Sequence, residues 1–191
     1  MAALGDAYSL GKGANQDYAV AIDYYKRSAS KGFGPGLFAL ASMNLSGRGT
    51  AVDHTEAMTL YSSADARGIT RATAMIGIMY ADGSGVPKDL VKARELTGRS
   101  AVQGDMFGKA AYAAMLRDGV GGPKDVPKSF EILSSLGDEN VGYGHYQLAL
   151  PYEQGAGTAP DKNKAAEFYR KALASGLTPA KVRLQALGFA E

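Results

Sequence analysis

One frame, Gly-x-Gly-x-x-x-Asp, occurs five times in this chain at a fixed interval of 36 residues: Gly11-Gly13-Asp17, Gly47-Gly49-Asp53, Gly83-Gly85-Asp89, Gly119-Gly121-Asp125 and Gly155-Gly157-Asp161. No insertion or deletion interrupts the series. A period of this size is the mark of a stacked array, in which each unit buries its apolar face against the next rather than in a separate core. The units run over residues 1–36, 37–72, 73–108, 109–144 and 145–180, and 181–191 reads as the first helix of a sixth, a C-terminal half-repeat capping the array. Met1 falls where a repeat helix is already under way, which predicts a segment excised from a longer protein.

Each unit divides into two helical patterns separated by the glycine loop. The first, helix A, carries Leu4, Leu40, Ile76, Tyr112, Leu148 and Leu184 in one column. Beside it stand the small residues Gly5, Ala41, Gly77, Ala113 and Ala149, interrupted by Gln185. Ala7, Met43, Met79 and Met115 follow on the same stripe, then Tyr8, Asn44, Tyr80, Leu116 and Tyr152. These offsets place large residues on one face while the small column lets a neighbouring backbone approach. Helix B shows the i, i+3, i+4, i+7 pattern as Ala21-Tyr24-Tyr25-Ser28, Ala57-Leu60-Tyr61-Ala64, Ala93-Leu96-Thr97-Ser100 and Ala165-Phe168-Tyr169-Ala172.

The boundaries of helix B have their own chemistry. Aspartate just ahead of an apolar period accepts from the unpaired N–H groups of the first turn, so the Asp column reads as five N-caps. Asp53 with Glu56 has the spacing of a capping box. Gly32, Gly68, Gly104 and Gly176 stand where a left-handed residue ends the helix, and Phe33, Ile69 and Leu177 follow in position to fold back in a Schellman arrangement. Prolines 87, 123 and 160 stiffen the loop ahead of the caps. The fourth repeat departs from the pattern at Ser129, Gly137 and Asn140, and the fifth places Pro151 inside helix A, which predicts a kink.

With these columns in place, the sequence resembles the Sel1-like repeat family, a helix-turn-helix relative of the tetratricopeptide repeat. The third repeat carries the resemblance as Ile76-Gly77, Tyr80, Gly83, Gly85, Val86, Asp89, Ala93 and Gly104. The fifth adds Ala165, Phe168-Tyr169, Lys171-Ala172 and Gly176. The resemblance implies an all-α fold, a right-handed α-solenoid of stacked helix pairs with helix A on the concave face and helix B on the convex one. It also implies a non-catalytic scaffold or adaptor for another protein or peptide, in bacterial signalling, secretion or envelope regulation.

The face of helix A left over from the buried columns is the expected partner site: Phe38, Ser42, Leu45, Ala74, Ile78, Ala81, Phe107, Ala114, Arg117, Tyr143, Tyr146, Leu150 and Glu153. It is more apolar than a solvated face needs to be, and Asp82, Asp118, Arg117 and Glu153 form its rim. The alternatives are a peptidoglycan or other glycan module, with Tyr143, Tyr146 and Tyr152 as stacking faces, or a cell-wall hydrolase of the kind some relatives represent. No nucleophile-base-orienter set can be assembled for the latter. Leu184, Leu187 and Phe189 leave open self-association through the terminal repeats.

Other classes lose ground on chemistry. The net charge of +2, with no basic run, argues against nucleic acid. The chain has no cysteine, which removes disulfides and thiolate metal sites. Gly-x-Gly follows a helix rather than a strand, so it is no phosphate cradle and no cofactor is expected. His54 and His145 lack metal-ligand spacing, and both are expected at the surface. No apolar run is long enough for a membrane span, and the N-terminus lacks the regions of a signal peptide. Periplasm and cytoplasm both remain open.

Overall fold

The computed structural model describes residues 1–136 and 142–190, in which every regular element is helical. Gly137 and Asn140 lie outside the described residues. The chain forms two compact units, Met1–Leu96 and Thr97–Glu191. The first contains α1 (Ala2–Leu10), α2 (Tyr18–Ala29), α3 (Gly34–Ser46), α4 (His54–Asp65) and α5 (Thr70–Asp82). The division falls within α6 (Leu90–Val102). The second unit holds α7 (Met106–Asp118), α8 (Val126–Ser134), α9 (Gly142–Gln154), α10 (Lys162–Ala174) and α11 (Pro179–Ala186). Odd-numbered helices are helix A and even-numbered ones are helix B.

The glycine loop is built identically five times. Gly11, Gly47, Gly83, Gly119 and Gly155 take left-handed φ of 67° to 77° at the end of helix A. The next residue's N–H returns to a carbonyl five residues back, as in Lys12 to Ala7 and Ser84 to Met79, both at 3.0 Å. The loop then closes when the N–H of the capping aspartate reaches a helix A carbonyl nine residues earlier: Asp17 to Tyr8, Asp53 to Asn44, Asp89 to Tyr80, Asp125 to Leu116 and Asp161 to Tyr152, at 2.8–3.0 Å. Both ends of the loop are thus hydrogen-bonded, and helix B starts from a fixed point.

All five aspartates cap as expected. Oδ1 of Asp17 accepts from the N–H of Ala19 and Val20, and Oδ1 of Asp161 from Asn163 and Lys164. Asp53, Asp89 and Asp125 each accept from the residue three positions on, at 2.9–3.0 Å. Only half of the expected capping box at Asp53 forms, because the Asp53 N–H is already committed to the Asn44 carbonyl. Asp161→Ala is expected to lower stability by about 1 kcal/mol, read from the urea midpoint followed by circular dichroism, with no change in helical content in water.

Helix B ends in the Schellman geometry read from the sequence. The N–H groups of Phe33, Ile69, Asp105 and Leu177 bond to the carbonyls of Ser28, Ala64, Ser100 and Ala172 at 3.0–3.3 Å, across glycines with positive φ. Pro151 lies buried inside α9, which continues through it to Gln154.

Packing follows the columns. Ala21, Ala57, Ala93 and Ala165 are fully buried where helix B meets helix A. Ser129, at the same register, is equally buried, and its hydroxyl donates to the Ala113 carbonyl at 2.7 Å, so the polar substitution carries its own partner. Tyr24 and Phe168 are half-buried rather than core residues. Leu4 is 51% exposed while Leu40, Ile76 and Leu148 are 4–7% exposed.

A second set of columns couples each helix B to the helix A that follows. The pairs are Ser28 with Gly36, Ala64 with Ala72, Ser100 with Gly108, Leu136 with Gly144 and Ala172 with Ala180, and every member is buried. In the sequence a residue larger than alanine is always paired with glycine, and alanine with alanine. A Cβ on Gly36 would lie 2.4 Å from Ser28 Oγ, and one on Gly108 would lie 2.3 Å from Ser100 Oγ. At the two serine–glycine contacts the missing Cβ of glycine leaves the room that the serine side chain fills, as close packing requires.

Candidate partner-binding face

In the first unit, Phe38, Ser42 and Leu45 on α3 and Ile78 and Ala81 on α5 are half-buried. Phe38 sets its edge against Tyr61 of α4, ring centroids 5.3 Å apart. Ala74, expected on the same face, is fully buried where α5 packs on α4 and offers no surface to a partner. In the second unit, Phe107, Ala114 and Arg117 on α7 and Tyr143, Tyr146 and Glu153 on α9 are half-buried. Leu150, expected beside them, is 9% exposed and belongs to the core formed with Ala165, Tyr169 and Leu184.

The charged members of the face are not free. Arg117 holds Asp118 through two parallel hydrogen bonds of 2.8 and 2.7 Å and donates to Gln147 Oε1 at 2.7 Å. Glu153 accepts from Arg183 at 2.7 and 3.2 Å. The Arg117 and Glu153 side chains are only 13% and 16% exposed. Both links join the same two positions of successive repeats, tying one helix A to the next. The equivalent positions in the first unit are Leu45 and Met75, both packed on the apolar core. The first unit therefore presents an apolar version of the face and the second a charged, hydrogen-bonded one.

Beneath the face lies a row of helix B tyrosines that the columns alone did not reveal. The Tyr25 hydroxyl donates to Asp6 Oδ1 at 2.8 Å, that of Tyr61 lies 2.9 Å from Ser42 Oγ, and that of Tyr169 donates to Glu153 Oε2. The sequence signal was available: Tyr25, Tyr61 and Tyr169 share one 36-residue register. Burial first, and then the carboxylate acceptor, pushes the Tyr25 hydroxyl up to about 12 and raises that of Tyr169 further. Burial also raises Tyr61 and Tyr143, against the opposing hydrogen bonds from Ser42 and Gln147.

These shifts have a pH consequence. With the folded pKa of Tyr25 above its unfolded value of 10.0, the folded state keeps a proton that the unfolded state gives up. The contribution of Tyr25 is complete below pH 10.0 and is lost as pH rises to about 12. Urea midpoints measured across that window are expected to fall, and Tyr25→Phe is expected to make the fall shallower.

The rings offered as glycan-stacking faces are already engaged. Tyr143 lies 5.3 Å from Phe107, Tyr146 lies 5.5 Å from Tyr169, and Tyr152 stacks on Phe168 at 5.7 Å while meeting the edge of Phe130. Of the two histidines, His54 is exposed at the start of α4. His145, expected at the surface, is instead 5% exposed, its ring 6.3 Å from Phe168, because α9 is packed between α8 and α10. Leu184 is fully buried, and Leu187 and Phe189 pack onto the same core rather than outward. Among the described residues no cluster of three or more His, Cys, Asp or Glu is placed to hold a metal ion, and no helix is long and apolar enough to cross a membrane.

Comparison with known proteins agrees with the helix-pair architecture. No curated protein matches the sequence. A Sel1 repeat protein from Oxalobacter formigenes superposes with a TM-score of 0.75 at 23% identity, over 99% of this chain and 78% of that one. A Sel1 repeat protein from Klebsiella pneumoniae does so with a TM-score of 0.64 at 22% identity, over 98% and 91%. A protective antigen of uropathogenic Escherichia coli, displaying an SLR fold, has a TM-score of 0.68 at 28% identity; the match takes in 98% of this chain but 41% of the antigen. The Sel1 repeat model matches residues 1–33, 34–66, 70–105, 108–140 and 142–177. The chain therefore belongs to the Sel1 repeat family and is an α-solenoid of these repeats.

Proposed function

We propose that this protein is a non-catalytic adaptor that holds a segment of another protein against its helix A faces, in bacterial signalling, secretion or envelope regulation. Sel1 repeat proteins are generally protein-interaction scaffolds, and the solved structures described above come from bacteria. The observation that carries the reading is the half-buried apolar row Phe38, Leu45, Ile78 and Ala81 in the first unit, which keeps part of its apolar surface open. In the second unit the Arg117–Asp118–Gln147 and Glu153–Arg183 links fix polar groups beside Phe107 and Tyr146. Apolar anchors beside pre-oriented polar groups are what a specific protein contact requires.

The test is partner capture by a variant carrying Phe38→Ser, Ile78→Glu and Tyr146→Ser together. Affinity is expected to fall at least about tenfold while helical content is kept. Undiminished capture by a folded variant would remove the helix A face from consideration.

A further inference from the structure

In three of the five repeats, the last turn of helix A carries a tyrosine whose ring is covered by side chains from helix B. Tyr24 stacks on Tyr8 at 5.8 Å. The Lys92 ammonium lies 4.3 Å from the Tyr80 ring centre and donates to its hydroxyl at 2.8 Å. Tyr152 is stacked by Phe168, with the Lys164 ammonium 5.3 Å from its ring. The second repeat has Asn44 in place of the ring and Glu56 in place of the lysine. What remains there is an open cavity of about 380 Å³ between α2, α3 and the start of α4. Ile22, Leu40 and Val52 are among its apolar walls, and Lys26, Asn44, Asp53 and Glu56 are among its polar groups.

We propose that this cavity receives a tyrosine side chain presented by a partner protein. Asn44, at the position that carries the ring in those three repeats, lines the cavity. Two of its three charged groups suit a phenol, since a lysine ammonium can lie over its face and a carboxylate can accept its hydroxyl. The chain already uses both contacts internally: Lys92 lies over Tyr80, and Tyr25 donates to Asp6. Asp53 and Glu56 also offer two carboxylates to a cation, which makes arginine the competing occupant in the titration. The cavity is separate from the helix A face and does not depend on the reading of that face.

The experiment titrates the isotopically labelled chain, followed by amide resonances, with the N-acetyl amides of tyrosine, phenylalanine and arginine. Tyrosine amide is expected to shift Asn44, Ala51 and Val52 saturably, with a dissociation constant on the order of millimolar. Phenylalanine amide, lacking the hydroxyl, is expected to bind about fivefold more weakly. Asn44→Tyr rebuilds the ring of the other repeats, so it is expected to abolish the response while leaving the melting temperature at or above that of the parent. The proposal is overturned by an absence of shifts at these residues up to about 20 mM tyrosine amide. It is equally overturned by an undiminished response in Asn44→Tyr, or by phenylalanine or arginine amide binding as tightly as tyrosine amide.

Discussion

Gly85→Ala is expected to destabilise the chain by about 3 kcal/mol or more, whereas Gly13→Ala, at the same place in the loop, is expected to cost about 1 kcal/mol. Both residues take positive φ, 75° and 82°, so both substitutions carry the penalty of a left-handed alanine. They differ in what a Cβ would meet. At Gly85 it would lie 2.4 Å from the carbonyl oxygen of His54 and 2.7 Å from its carbon, backbone atoms that cannot rotate away. At Gly13 nothing lies within 4 Å. Gly49 and Gly157 resemble Gly85, meeting Tyr18 Cβ at 2.5 Å and Phe130 Cβ at 3.0 Å. The second glycine of the loop therefore does two jobs in internal repeats. It turns the chain, and it lets the loop seat on the first turn of the preceding helix B. Urea midpoints of the two variants read the difference directly, and equal losses would show that the turn alone explains the glycine.

The second large effect is expected at the interlock between helix B and the next helix A. Gly36→Ala places a Cβ 2.4 Å from Ser28 Oγ and 2.5 Å from Ser28 Cβ, and is expected to cost about 2–3 kcal/mol. Adding Ser28→Ala recreates the alanine–alanine pair that the chain uses at 64/72 and 172/180. The double variant is expected to regain about 1 kcal/mol or more over Gly36→Ala alone, a coupling that neighbouring residues show and distant ones do not. Strict additivity would mean that the paired columns are coincidental.

The parts of this fold that were legible in the sequence are those set by local physics. Asp17 and its four equivalents cap because an aspartate oxygen meets the unpaired N–H groups of its own first turn. The glycine stops were legible for the same reason, since a positive φ is a property of one residue. Periodicity located the buried alanines correctly. It could not separate a half-open face from a closed one, which depends on how nearly the next helix approaches. That is why Ala74 and Leu150 proved to be covered and His145 buried. The capping box at Asp53 stayed half-formed because a longer-range partner, the Asn44 carbonyl, had taken the second donor. The candidate face suffered in the same way. Its residues could be chosen by elimination, but the tyrosine hydroxyls beneath it and the Arg117–Gln147 and Glu153–Arg183 links join elements 16 to 30 residues apart.

Site-specific photo-crosslinking reads whether partners are held on the helix A face. A benzophenone side chain would be placed singly at Phe38, Ile78 or Ala114 on helix A, and at Val91, which is 69% exposed on helix B, or at Lys128. A co-purifying partner is expected to crosslink from the helix A positions and not from Val91 or Lys128. Crosslinks from the helix B positions alone would contradict that placement.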